Sequence, residues 1–308
     1  MQMKKYINEI LIGDSSRMLK KLPAKIFHTC VTSPPYYKLR DYGVDNQIGL
    51  ESTPEQYIKK LVTVFREVKR VLRDDGTLWI VVGDSYNGSG KANNDKTIDN
   101  YLQGSNKHST VERTHIKGIK RKDLIGISWL LAFALRNDGW YWRDTIIWHK
   151  CNPMPESVLD RCTRAHEYIL FFSKNSRYYF NSEAIKTPSK NPKDDRGSRG
   201  NIKRIPTKMV SGIRSSGVYP MSNKRNVWTV ATQPFKGAHY AVFPEQLIEP
   251  CIKAGCPEAG LVLDPFIGSG TTGLVARKLS RNFVGIDLNP DNKHMALERM
   301  NKELGLFT

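Results

Sequence analysis

The stretch AGLVLDPFIGSGTTGLVARKLSRNFVGID, Ala259 to Asp287, decides the fold. Its apolar opening, Ala259 to Asp264, predicts a strand that ends on a carboxylate. Pro265-Phe266-Ile267-Gly268-Ser269-Gly270 reads as a glycine-rich turn, and Thr271 to Leu279 as a helix. Asn282 to Asp287 is a second strand, also ending on an acid. Together these segments make a β-turn-α-β unit, which places the chain in the α/β class. Glycines let a backbone approach a ligand closely. An acid at the end of the second strand can bind a ribose diol, and Asp287 falls 17 residues after Gly270, near the usual separation of roughly 20. The glycines do not follow the G-x-G-x-x-G spacing of dinucleotide enzymes. A nucleoside cofactor without a pyrophosphate suits the turn better than a hydride carrier.

Far upstream stands Thr32-Ser33-Pro34-Pro35-Tyr36. The run Ile26 to Val31 predicts a strand, and the two prolines stop it at once. A stiff elbow at a strand's carboxyl end sits where open α/β sheets bind ligands. It can aim a hydroxyl and a carbonyl at one point, both as acceptors. Tyr36 adds a flat face. Acceptors beside a stacking ring suit a base that carries an amino group and has left its helix. Taken alone, the same five residues fit a proline-rich turn with a packed tyrosine equally well.

Composition narrows the partners. The 308 residues allow one large domain or two modest ones, and carry a net charge of +18. A protein this basic usually meets a polyanion, foremost a nucleic acid. The charge is uneven: residues 174–236 hold 14 Lys+Arg against 3 Asp+Glu, interleaved with Tyr178, Tyr179, Phe180, Tyr219, Trp228 and Phe235. Basic groups neutralise phosphates, and aromatic or polar side chains meet bases. This favours a nucleic-acid-binding insert over a solvated basic linker. Five cysteines at irregular spacing form no C-x-x-C pair, so no zinc site or disulfide framework is indicated, which fits a reducing cytoplasm. No apolar run approaches a membrane span, and no signal-peptide core follows Met1.

The remaining elements follow from pattern. Ile7 to Ile12 predicts a strand ending at Gly13-Asp14, and Ser15 to Leu22 a short helix. Thr53 as N-cap, Pro54 at the first position and Gln56 open a helix whose apolar positions run to Leu72. Thr77 to Asp84 reads as a buried strand and Leu124 to Leu135 as a helix. Trp142–Trp148 and Tyr168–Phe172 form an expected antiparallel pair. Residues 85–120 are polar and without period, either functional or disordered. Gln246 to Ala254 predicts a helix feeding the glycine unit, preceded by His239 and Phe243, which could line the same pocket.

Taken together, the elbow and the glycine turn resemble the catalytic and methyl-donor motifs of amino-group DNA methyltransferases. His239-x-Ala241-x-Phe243-Pro244 and Gly285-Ile286-Asp287-Leu288-Asn289 are similar to further elements of that family. The order, catalytic motif then basic insert then donor motif, is that of its β-group, and the resemblance runs from about Asn8 to about Leu297. It implies a Rossmann-like, seven-stranded, mainly parallel sheet with helices on both faces. Residues 1–173 would form the catalytic half, 174–236 the target-recognition region and 237–308 the donor-binding half.

By the same resemblance the cofactor is S-adenosylmethionine and no metal is needed. Ser33, Pro34, Pro35 and Tyr36 would be catalytic. Asp14, Thr32, His239, Phe243, Asp264, Pro265, Phe266, Gly268, Ser269, Gly270, Thr271, Thr272, Asp287 and Asn289 would bind the donor. Double-stranded DNA would be the substrate, and a homodimer and a companion restriction endonuclease stay open. Ser-Pro-Pro-Tyr is commoner among N4-cytosine enzymes, with N6-adenine as the alternative. Ser and Asp both accept from an amino N–H, so the chemistry does not force the choice.

Overall fold

The computed structural model of the protein describes residues 4–39, 41, 43–88, 116, 118–190, 192–194, 217–233 and 243–305. Two compact units emerge, one built from 1–180 and 226–308, the other from 181–225.

The larger unit is organised on one sheet. Its strands are β1 (Glu9–Ile12), β2 (Phe27–Thr32), β3 (Leu72–Val82), β4 (Tyr141–His149), β5 (His166–Ser173), β10 (Val227–Thr229), β11 (Leu261–Asp264) and β12 (Asn282–Asp287). Their order is β1-β12-β11-β2-β3-β5-β4-β10. The first five run parallel, and β5 pairs antiparallel with both β3 and β4. The expected seven strands are therefore present. An eighth, β10, is added at the β4 edge, where Trp228 pairs with Trp148.

The sheet's two sides are covered because its strands alternate. Cys30, Leu78, Ile80, Val82, Leu170 and Phe172 join the core with α1 (Ser15–Lys20), α2 (Pro54–Val71) and α3 (Ile127–Asn137). The opposite side receives α4 (Glu245–Gly255), whose Gly255 lies so close to Thr29 and Thr77 that a Cβ would stand 2.7 and 2.6 Å from their hydroxyls. Helices α5 (Thr271–Lys278) and α6 (Pro290–Glu303) complete the set. Helix α2 starts as its sequence demands: the Thr53 hydroxyl accepts from the Gln56 N–H, and Pro54 needs no partner there. Its stripe from Tyr57 to Val71 is buried.

The N-terminus of α3 departs from expectation. It begins at Ile127, three residues after Leu124, because Asp84 Oδ1 accepts from the N–H groups of Gly126 and Ile127. The carboxylate that caps this helix belongs to a distant strand end. Most of 85–120 lies outside the described residues. Among the described residues no helix is long and apolar enough to cross a membrane, and no His, Cys, Asp or Glu cluster could hold a metal ion.

The smaller unit holds two antiparallel pairs: β6 (Thr187–Pro188) with β9 (Met221–Ser222), and β7 (Lys193–Asp194) with β8 (Gly217–Val218). Its limits are narrower than the 174–236 drawn from charge. Tyr178 and Phe180 belong with the sheet because their rings pack on Phe171, 5.8 and 5.7 Å away. Residues 227–229 belong with it as β10.

Candidate active site

The strand order decides where the site lies. β2 and β11 are neighbours, with Cys30 opposite Leu263, although more than two hundred residues separate them in the chain. From β11 the chain continues to β12 on one side, and from β2 to β3 on the other. A crevice at the carboxyl ends of such diverging strands is where this architecture binds ligands. The proline elbow after β2 and the glycine turn after β11 are brought together at that crevice.

Three buried residues fasten the two motifs. The Thr32 hydroxyl donates to Asp264 Oδ1 at 2.6 Å, and the Thr272 hydroxyl to Oδ2 at 2.6 Å. The Phe266 N–H adds a third donor at 3.0 Å. Burial pushes the Asp264 carboxyl up to about 6 despite these bonds. Ser15 adds a second tie: its hydroxyl donates to the Pro265 carbonyl at 2.6 Å. Tyr57, buried on α2, donates to the Pro35 carbonyl at 2.8 Å. Among the described residues nothing donates to the Pro34 carbonyl. Pro34 thus keeps an acceptor that its neighbour has used.

Between the motifs opens one cleft of about 1040 Å³, counted to its mouth. Its floor and one wall come from Pro265, Phe266, Gly268, Ser269, Thr271, Asp287 and Asn289, joined by Asp14 and Phe243. Ser33, Pro34, Pro35 and Tyr36 line the same cleft. Four residues expected at the donor lie elsewhere. Thr32, Asp264, Gly270 and Thr272 are buried behind the wall and do not line the cleft. Adjacent residues of a strand face opposite ways, so Thr32 turns to Asp264 while Ser33 faces the cavity. His239 lies outside the described residues.

The glycine turn wraps onto the carboxylate that ends β12. Gly268 and Gly270 adopt φ of +49° and +82°, a region that L side chains rarely enter. The Gly268 N–H donates to Asp287 Oδ2 at 2.9 Å. Oδ1 accepts from Asn289 N at 2.8 Å and from Asn292 Nδ2 at 2.9 Å. A carboxylate has about four acceptor positions, and these three donors use three of them. Asp14 caps α1 through Oδ1, accepting from the Arg17 N–H, while lining the cleft.

A model of the DNA methylase family, N6_N4_Mtase, matches residues 27–298. The chain belongs to this DNA methylase family. It is 45% identical to the Type II methyltransferase M.SmaI of Serratia marcescens, over 95% of this chain and 90% of the relative. Identity to M.Cfr9I of Citrobacter freundii is 44%, over 94% and 87%. Among solved structures it is similar to TTHA0409 of Thermus thermophilus complexed with S-adenosyl-L-methionine. That match has 24% identity, 97% of each chain covered and a TM-score of 0.60. It is also similar to the PvuII DNA methyltransferase (cytosine-N4-specific), with 18% identity, 96% and 88% coverage and a TM-score of 0.62. As a DNA methylase of this family the protein uses S-adenosylmethionine, and the glycine turn, the Asp287 carboxylate and the apolar face of Phe266 suit that donor.

Two groups of residues at or beside the cleft carry no clear signal in the sequence. The segment after the elbow folds back over the cleft, so that Leu39, Val44, Asn46, Gln47 and Ile48 line it. It is held by Lys38 N donating to the Gly49 carbonyl at 2.7 Å and by Gly49 N donating to Glu51 Oε2 at 2.8 Å. Only the glycines at 43 and 49 hint at such a turn. The second group is Glu167 on β5, which reaches Tyr36, and Lys150 just after β4, which reaches Glu167. The Tyr36 hydroxyl donates to Glu167 Oε2 at 2.6 Å, and Lys150 Nζ to Oε1 at 2.5 Å. Cys30, beside the elbow, is fully buried and its thiol is pushed well up by burial and by Asp264, so it is core.

Proposed function

We propose that the protein is a Type II, site-specific methyltransferase acting on the exocyclic amino group of a flipped-out base in double-stranded DNA, cytosine N4 foremost and adenine N6 as the alternative. The observation that carries this reading is the single cleft shared by the elbow and the glycine turn. When bound, S-adenosylmethionine supplies an electrophilic methyl group. The chain's residues position its partner. Tyr36 presents its ring to the base. Ser33 Oγ and the Pro34 carbonyl accept the two amino N–H bonds, which orients the nitrogen lone pair across the cleft. Catalysis is then positioning and electrostatics. Serine at the first motif position supports cytosine. The Type II names of the relatives support a companion restriction endonuclease.

The test is incubation with duplex DNA and methyl-labelled S-adenosylmethionine, followed by digestion to nucleosides. Label in N4-methylcytosine is the expected result. Label in N6-methyladenine selects the alternative, and unlabelled DNA rejects both. Ser33→Ala should bind the donor normally by calorimetry yet lose about a hundredfold in turnover, the usual cost of one aligned catalytic hydrogen bond. Full activity would remove Ser33 from the mechanism.

A further inference from the structure

We propose, on the reading of the target as a flipped-out base, that Leu159 enters the DNA helix as a wedge and fills the place in the stack that the base leaves.

Leu159 belongs to the connection between β4 and β5, residues 150–165. His149 at the end of β4 pairs with His166 at the start of β5, and Tyr168 pairs with Val82 at the end of β3. The connection therefore leaves the sheet at the same edge as the proline elbow, which follows Thr32 opposite Ile80. Its far end reaches the cleft: Glu167 accepts from the Tyr36 hydroxyl at 2.6 Å, and Tyr36 lines that cleft. The Tyr36 ring lies against Gly83, where a Cβ would stand 2.8 Å from its Cε2. Arg164 Nη1 donates to the carbonyl of the next residue, Asp84. The Arg161 guanidinium lies 4.1 Å from the centre of the Tyr86 ring.

The connection is tied down, yet its large apolar side chains stay in solvent. The Lys150 N–H donates to the Ala165 carbonyl at 2.8 Å and closes its neck. Arg161 Nη1 donates to Glu156 Oε2 at 2.6 Å, and Lys122 pairs with Asp160 at 2.5 Å. Asn152 and Thr232 exchange hydrogen bonds at 3.1 and 2.8 Å. Amid these ties Leu159 is fully exposed and Met154 is 84% exposed. The next most exposed large apolar side chain among the described residues is Val218, at 69%. Single apolar side chains scattered over a surface are ordinary. The two most exposed of all, held out on one fastened connection beside the cleft, call for a partner.

Charge and chemistry name that partner as the DNA itself. Residues 118–124 and 150–165 hold six Lys+Arg against three Asp+Glu, and Lys120, Arg121 and Lys122 are all exposed. Such cations meet phosphates. A leucine gains nothing from a phosphate, but it gains from the base stack, where apolar side chains insert between steps. Flipping a base opens a gap there. Leu159 in that gap leaves water and keeps the base from falling back.

The test uses the full chain and a short duplex containing a site that the wild type labels. One version is fully paired, and the other carries a mispaired target base. Single-turnover methyl transfer is measured at saturating S-adenosylmethionine. Leu159→Ser should slow transfer about tenfold on the paired duplex and less than about twofold on the mispaired one, because a mispaired base flips at lower cost. Leu159→Met, which restores an apolar side chain, should recover most of the rate. 2-Aminopurine beside the target should brighten when the wild type binds and much less with Leu159→Ser. Melting temperature and S-adenosylmethionine affinity should not change, since the side chain is exposed. Equal losses on the two duplexes, which a contact outside the base stack would give, or no loss on the paired one, overturn the proposal. If the wild type labels DNA and Leu159→Ser matches it, the wedge alone fails. If the wild type leaves DNA amino groups unlabelled, the wedge and the reading of the function both fail.

Discussion

Asp264 is a carboxylate 2% exposed, held by three donors and still short of what water would give it. Its pKa rises from 3.8 to about 6, with burial as the largest cause. The sign of the consequence follows. The folded state keeps the proton to a higher pH than the unfolded chain does. Over that window, stability falls as pH rises, by on the order of 2–3 kcal/mol. Asp264→Asn carries no such dependence. Relative to wild type it should therefore gain about that amount between pH 4 and pH 7, whatever the fixed cost of its altered bonds to Thr32 and Thr272. Urea unfolding at the two pH values checks this, and a difference independent of pH would refute it. The sequence marks Thr32, Asp264 and Thr272 as donor-binding residues, and the structure places them in the hydrogen bonds that tie the elbow to the glycine turn. It does not show that they stand one layer behind the surface. Which way a residue faces at a strand's last position depends on the neighbouring strand, and the neighbour of β2 is β11, far away in the chain.

At the scale of elements, what is legible is what is local. The cap and stripe of α2, the strand–turn–helix of the glycine unit and the antiparallel β4–β5 pair each carry their own signal. Helix α6 goes unread although Asn289 caps it and Pro290 opens it. Only Ala296 and Met300 among its residues are buried, so it shows no apolar stripe. The start of α3 is misplaced because its capping carboxylate, Asp84, comes from another element. The turn into α5 offers a direct test. Gly270 holds φ of +82°, and a Cβ there would stand 2.9 Å from both Ala296 Cβ and Met300 Cε on α6. Gly270→Ala combines a left-handed backbone with an overpacked contact, a cost of about 2–3 kcal/mol. The expected outcome is a lower melting temperature together with weaker S-adenosylmethionine binding. An unchanged melting temperature would show that the turn relaxes without strain.

On the scale of the molecule, the proline elbow lies early in the chain and the glycine turn late, yet the sheet seats them side by side. No local pattern encodes that adjacency; it becomes readable only when two separately ambiguous motifs are taken as a pair. The basic insert is the part whose function charge alone suggests. The compact unit 181–225 carries 11 Lys+Arg against 3 Asp+Glu, so it supplies +8 of the chain's +18. If those charges meet DNA phosphates, they release counterions, and affinity must fall steeply with salt. Replacing 181–225 with a short Gly-Ser linker should then leave S-adenosylmethionine affinity within about twofold, which also reports that the sheet is intact. DNA affinity should drop, and its logarithmic dependence on salt should flatten by about 0.9 for each phosphate that the shortened chain no longer neutralises. Titration of labelled duplex at several salt concentrations measures both. A weaker affinity with an unchanged slope would mean that the insert meets bases rather than phosphates. An unchanged affinity would assign DNA binding to the larger unit alone.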